Sequence, residues 1–316
     1  MPGACVEPTM FSGFESTEVD VGETTIFSRR KGSGRPLLLL HGFPQTHVMW
    51  HRVAPTLAED FTVVCADLRG YGASGKPPSR PDHTPYAKGA MARDMVRLMA
   101  AHGFSRFAVA GHDRGARVAY RLALDSPETI TRLALLDIIP TGEAFRRADA
   151  RFALAFWPWS LLAQPAPLPE RLLLAAPEVV VDDALGAWGS ERASFPSPVR
   201  AAYIAALRDP DTVHAICDEY RAAATLDLAQ DTKDQRAGRR IVCPVLVLWS
   251  ASGPLDTWYA EAGGPLGIWR QWATDVTGRP MAGGHFFPEQ NATETSAELR
   301  AFFSLDETRE SGWERS

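Results

Sequence analysis

Gly111-His112-Asp113-Arg114-Gly115 follows an apolar run and precedes a helix-like pattern, so a carboxylate occupies the centre of a G-x-nucleophile-x-G turn. The flanking glycines relieve crowding at a strained strand-to-helix turn and leave the central side chain accessible. An aspartate there differs from a serine in its chemistry: it attacks a saturated carbon and leaves an alkyl ester on the protein, which suits opening of a carbon–halogen bond or an epoxide. The same residues also allow a plainer role, with Asp113 capping the helix that follows.

An ester on Asp113 must be hydrolysed, and that step needs a general base. Among eight histidines, His285 in Gly283-Gly284-His285 is the candidate, because it lies late in the chain after the last core strand. His41 and His112 are expected to hold loops by hydrogen bonds. A carboxylate must then fix the tautomer of His285, and Asp137 and Asp256 each follow an apolar strand-like run. Arg114 and Arg117 are three apart on one predicted helix, so they share a face and present two guanidinium forks suited to a substrate carboxylate. Cations near a helix N-terminus oppose the helix dipole, a cost that anion binding explains.

These residues need a frame to hold them. Pro36–Leu40, Phe61–Ala66, Phe107–Ala110, Leu133–Leu136 and Val245–Trp249 are short apolar runs of the kind that make strands buried on both faces, with helix-like segments between them. A parallel α/β sheet follows. The first run comes after a polar leader. About a hundred residues separate the last two runs, far more than one crossover needs. The expected division is a core of residues 1–140 and 241–305, a helical lid at 141–240, and a charged, aliphatic-poor tail at 306–316 that frays. The lid stretch carries Trp157, Trp159 and Trp188, with Ala-rich patterns broken by prolines.

Composition narrows the partners. Hydrophobic residues make up 45% and charged residues 22% of 316, the balance of a folded globular chain. The net charge of −5 and the lack of a basic stripe argue against nucleic acid. No apolar run is long enough to cross a bilayer, no basic-then-apolar leader opens the chain, and the cytoplasm is the default expectation. Cys5, Cys65, Cys217 and Cys243 are widely spaced and are read as free thiols. Neither a metal-ligand cluster nor a phosphate loop is evident, so no cofactor is expected.

His41-Gly42-Phe43-Pro44, Asp67-Leu68-Arg69-Gly70-Tyr71-Gly72-Ala73-Ser74, the Asp113 turn and Gly283-Gly284-His285 occur in an order that resembles the α/β-hydrolase superfamily. Within it, residues 111–117, Leu136-Asp137-Ile138-Ile139-Pro140-Thr141, Gln164-Pro165-Ala166-Pro167 and Gly284-His285-Phe286-Phe287 are similar to haloacetate dehalogenases of the fluoroacetate dehalogenase type, over nearly the whole chain. The resemblance implies an α/β-hydrolase fold with a mostly parallel central sheet. It implies Asp113 as nucleophile, His285 as base and Asp137 as its acid, with Asp256 reverting to a loop or cap residue. The backbone N–H groups of Phe43 and Arg114 would form an oxyanion hole, and Arg114 and Arg117 would grip the carboxylate of a haloacetate. The halide would be held by Trp159 and Tyr220; where the family has a histidine as a third donor, this chain has Pro158, which has no N–H to offer. A homodimer is also implied.

Two rivals stand beside this reading. An epoxide hydrolase uses the same Asp-His-acid set and protonates the epoxide oxygen from lid tyrosines, for which Tyr203 and Tyr220 are candidates. A non-catalytic sensor would bind a small acid in the pocket and signal through lid movement.

Overall fold

The computed structural model describes residues 10–305. Eight strands form one sheet in the order β1-β2-β4-β3-β5-β6-β7-β8. These are β1 (Glu15–Asp20), β2 (Thr25–Lys31), β3 (Arg35–Leu40), β4 (Phe61–Ala66), β5 (Phe107–His112), β6 (Ile130–Leu136), β7 (Val245–Ser250) and β8 (Val276–Met281). From β3 onward every pairing is parallel, whereas β1 and β2 form an antiparallel hairpin whose second strand pairs with β4. The parallel α/β sheet expected from the apolar runs is therefore present, with its switch between β4, β3 and β5 at the middle.

Burial explains why those runs were readable. Leu37, Leu38, Leu39 and Leu40 are each 0% exposed, so each contributes roughly 2 kcal/mol through removal of apolar surface from water. β4, β5 and β7 are buried at every position. The rest of the sheet differs from the expectation. The polar leader includes β1 and β2, and β8 closes the far edge. None reads as a continuous apolar run, because edge and near-edge strands keep one face partly wet and carry residues such as Arg30 and Arg279.

Between β6 and β7 the described backbone is helical without a strand. Its helices are Thr141–Arg146, Ala150–Ala155, Trp157–Leu161, Leu168–Ala175, Pro177–Gly186, Ser197–Leu207, Pro210–Ala222 and Leu228–Arg236. The last two are joined through a wider π turn at Ala223–Asp227. Prolines here start helices rather than break them: Pro158, Pro169, Pro177, Pro198 and Pro210 each occupy one of the first two helical positions, where a missing N–H costs nothing.

Among the described residues no helix is long and apolar enough to cross a membrane. Cys65, Cys217 and Cys243 are free and buried. The expectations for Cys5 and for the tail at 306–316 fall outside the described residues.

Candidate active site

The Asp113 turn joins β5 to the helix Arg114–Asp125. Asp113 sits at φ +45° and ψ −114°, a conformation that costs an L-residue about 1–3 kcal/mol and persists only where the surroundings enforce it. They do: its N–H donates to Leu136 O at 3.2 Å, and its carbonyl accepts from Arg117 N at 3.2 Å. A Cβ at Gly115 would lie 2.4 Å from His41 O, so only glycine lets the new helix pass this close to the end of β3. Asp113 makes no side-chain capping bond to the helix, which removes the plainer role. Its Oδ1 instead accepts from Phe43 N at 3.0 Å.

His285 and Asp137 meet across the C-terminal ends of the strands. His285 Nδ1 lies 2.5 Å from Asp137 Oδ2, and the other oxygen of Asp137 accepts from Ser250 N at 2.8 Å. Asp137 also holds a left-handed backbone, φ +54°, at the end of β6. Asp256 is elsewhere: it is exposed and accepts from Trp249 Nε1 at 2.8 Å. Of the two aspartates that follow apolar strands, Asp137 is the one in contact with His285.

Burial and neighbouring charges set the resting state of each group. Burial pushes the Asp113 carboxyl up, but His285, Arg114, Arg117 and His112 together hold it below the usual carboxylate value, so it stays an anion. Burial pushes His285 down, but the hydrogen bond and charge of Asp137, joined by the charge of Asp113, raise it above an ordinary histidine. His112 is pushed down to about 4 by burial and by His285, which keeps it neutral. Its Nε2 pairs with His285 O at 2.8 Å, and His41 receives Leu68 N at 3.1 Å; both histidines hold loops, as expected.

One cavity gathers these groups. Asp113, Asp137, His285, Phe43, Arg117, Trp159 and Tyr220 all line it, and its space measures about 520 Å³ counted out to the mouth. Arg117 donates to Ile139 O at 3.0 Å and Thr141 Oγ1 at 3.2 Å, with its guanidinium 4.4 Å from the Trp159 ring centroid. Arg114 is placed differently from the expectation of two equivalent forks. It is absent from the cavity lining, fully buried, with its guanidinium 4.0 Å from the Tyr220 ring centroid and its Nε donating to Glu219 Oε1 at 2.7 Å. Both terminal nitrogens of Arg114 lack a hydrogen-bond partner among the described residues.

The helical insertion supplies the far wall. Trp159, 8% exposed, packs edge-on against Phe145 and Phe152. Neither its indole N–H nor the Tyr220 hydroxyl has a hydrogen-bond partner among the described residues. Tyr220 is held well above the ordinary tyrosine range, chiefly by burial, so it keeps its proton as a donor. Pro158 lines the cavity beside them. Tyr203 does not: its hydroxyl donates to Glu289 Oε2 at 2.8 Å, away from the cavity.

The motifs gave no sign of some contributors. Trp188 stacks edge-on over His285 at 5.3 Å, and its carbonyl accepts His285 N at 3.0 Å. Next to it, Ser190 Oγ donates to Gln290 Oε1 at 3.0 Å and accepts Phe286 N at 3.2 Å. A Cβ at Gly284 would stand 2.1 Å from Ser190 N, so glycine there lets the insertion touch the His285 loop. Phe152, Phe156 and Tyr259 complete an aromatic lining for which side-chain spacing gave no signal. Among the described residues no three metal-ligating side chains cluster together.

The chain has relatives among known proteins. The alpha/beta hydrolase fold family matches residues 35–288. A fluoroacetate dehalogenase from Burkholderia sp is 44% identical over 296 residues, covering 93% of this chain and 95% of the relative. A soluble epoxide hydrolase from Corynebacterium sp. (strain C12) is 31% identical over 273 residues, covering 82% and 86%. A chain of known structure from Nostoc sp PCC 7120, assigned to the alpha/beta hydrolases, superposes with a TM-score of 0.90 at 47% identity, covering 94% of this chain and all of that one.

Proposed function

We propose, from the premise that the chain belongs to the α/β-hydrolase family, that it hydrolyses the carbon–halogen bond of a short 2-halo carboxylate. The observation that carries this reading is Asp113 on its strained turn, lining the same cavity as the His285–Asp137 pair and the Arg117 guanidinium. The 44% identity to a fluoroacetate dehalogenase supports it.

In the first step an oxygen of Asp113 attacks the α-carbon; the C–O bond forms as the carbon–halogen bond breaks, and the halide leaves with the bonding pair. Trp159 and Tyr220 have free N–H and O–H donors for the departing anion, Arg117 pairs with the carboxylate, and the terminal nitrogens of Arg114 are two further donors for it. In the second step His285 takes a proton from water, and the resulting hydroxide adds to the Asp113 carboxyl carbon. The negative oxygen so formed is met by Phe43 N–H, already 3.0 Å from Oδ1, and by the N–H of Arg114. Collapse breaks the ester bond to the α-carbon oxygen, and the 2-hydroxy acid leaves with the proton held by His285. Asp137 keeps Nδ1 of His285 protonated so that Nε2 faces water. The helical stretch 141–240 acts as the lid, and no cofactor enters the scheme.

Epoxide opening is the second reading, motivated by the 31% identical epoxide hydrolase. The expected pair of lid tyrosines does not meet in the cavity, because Tyr203 is engaged by Glu289; Tyr259, which lines the cavity from the segment after β7, is the remaining partner for Tyr220. An uncharged epoxide also brings no anion to Arg117 or to the unpartnered terminal nitrogens of Arg114. Incubation with fluoroacetate, chloroacetate, bromoacetate and styrene oxide, following halide, glycolate and diol, separates the readings. Halide with equimolar glycolate is expected. Diol without halide would make it an epoxide hydrolase, and tight carboxylate binding with no product would favour the sensor.

A further inference from the structure

Glu219 is fully buried in the insertion helix Pro210–Ala222, one residue before Tyr220, yet none of the chemistry above uses it. Three core segments converge on its carboxylate. Arg114 Nε donates to Oε1 at 2.7 Å, the Tyr71 hydroxyl donates to Oε2 at 2.5 Å, and Lys88 Nζ, itself 1% exposed, also donates to Oε1. Lys88 belongs to the first turn of the helix Lys88–Ala101, and its N–H is fixed by Asp227 Oδ1 at 2.9 Å. A buried anion beside a pocket for anionic substrates would repel them unless it were neutralised.

Two features give this cluster a direction. Glu219 takes only the Nε edge of Arg114, leaving both terminal nitrogens sealed from solvent without partners. Those nitrogens lie on the guanidinium that stacks over Tyr220 and lies 5.7 Å from the Trp159 ring centroid, both cavity-lining side chains. Leaving donors unpaired in a buried site costs free energy that an incoming carboxylate recovers. Interaction with Arg114 and Lys88 holds Glu219 down to about 2 against the opposing effect of burial, so it is an anion throughout the working range.

We propose that Glu219 is a positioning residue for the substrate carboxylate: it anchors Arg114 by Nε and turns the paired terminal nitrogens toward the cavity, while Lys88 cancels its charge so that it does not repel the substrate. This inference rests on the carboxylate-binding part of the functional reading and not on the halide chemistry. It separates two properties that a purely structural ion pair would not: the reach of the 219 side chain, and its charge balance with Lys88.

The test is binding of acetate, an unreactive carboxylate, to the full-length protein by tryptophan fluorescence, with KM and kcat for chloroacetate and the melting temperature of each variant. Glu219→Asp, which draws the anchor back by one methylene, is expected to weaken acetate binding and raise KM about tenfold, with kcat changing less than about threefold. Glu219→Gln keeps reach and an acceptor oxygen, so acetate binding stays within about threefold of the parent. Lys88→Met leaves Arg114 as the remaining cation on Glu219 and weakens acetate about tenfold; adding Glu219→Gln restores it. Unchanged acetate affinity in folded Glu219→Asp and Lys88→Met, or an unrescued double variant, would overturn the inference. If Glu219→Asp does not fold, the neutral double variant decides alone: near-parental affinity supports the proposal and a tenfold loss sinks it. Acetate binding without halide release from any haloacetate would dispose of the dehalogenase reading while leaving this one standing.

Discussion

Asp137 and His285, 148 positions apart in the chain, are joined by a contact of 2.5 Å between Oδ2 and Nδ1. The contact fixes which ring nitrogen carries the proton and leaves the other for water. Asp137→Asn should therefore lower kcat by about two to four orders of magnitude through loss of the tautomer. Asp256→Asn should leave kcat within about twofold, since Asp256 is exposed and bonded to Trp249. Equal losses in the two variants would mean that the acid has been misassigned.

Halide donors should be visible in the leaving-group series. Trp159→Phe removes one free N–H and is expected to slow halide release about tenfold or more, with the greatest loss for fluoride, the smallest and most strongly hydrated halide. Pro158→His would add a donor at a position that lines the cavity. The fluoroacetate-to-chloroacetate ratio of kcat/KM should rise in this variant. A ratio unmoved by both substitutions would separate these side chains from the leaving group.

The two steps should respond differently to acid. Asp113 is held below the usual carboxylate value, so the proposed alkylation with halide release should persist into acid. In the proposed scheme His285 must be neutral to deprotonate water, so its protonation on lowering the pH should halt ester hydrolysis. In the resting protein its pKa is raised, with Asp137 and Asp113 as the causes opposing burial. Esterification removes the Asp113 charge, so the hydrolytic limb should fall below the resting His285 titration. Rapid-quench halide bursts should outlast steady-state turnover as pH falls, and Asp113→Asn should lower the His285 titration seen by NMR. A burst and steady state lost together would place one titration over both steps.

Glu289 offers a stability test separate from chemistry. It is buried with Oε2 accepting from Gln45 Nε2 at 2.5 Å and Tyr203 at 2.8 Å, and burial pushes it up to about 8. A carboxyl raised in the folded state binds its proton there more tightly than in the unfolded chain. Its contribution therefore falls as pH rises from the ordinary glutamate range through about 8. Glu289→Gln should flatten the melting temperature against pH across that window and raise it by a few degrees at the alkaline end. An unchanged slope would show that Glu289 is ionised in the folded protein.

What could be read in advance follows from where the information is stored. β3, β4, β5 and β7 announce themselves because strands covered on both faces must be continuously apolar. β1 and β8 at the edges, and β2 next to one, do not, since partly wet strands tolerate arginines and look like polar leader or loop. The Asp113 turn was legible because its strained φ demands glycine neighbours at fixed offsets, and the His285 loop because it is glycine-rich. The asymmetry of Arg114 and Arg117 was not, because it depends on Glu219, more than a hundred residues away on the insertion. Spacing along one helix shows that two side chains share a face but not which one meets a buried acid from another element. The seating of Trp188 and Ser190 on the His285 loop is equally tertiary, and only the bare Cβ position of Gly284 hints at it.

The covalent role of Asp113 is tested most directly by a single turnover of chloroacetate with protein in excess in ¹⁸O-labelled water. Hydrolysis through an ester predicts unlabelled glycolate and one ¹⁸O in the peptide containing Asp113. His285→Asn should stop after one halide per site with the carboxymethyl ester on that peptide, and Asp113→Asn should release none. Glycolate carrying the label in this first turnover, with Asp113 unlabelled, would mean that water attacks the substrate directly and would contradict the account.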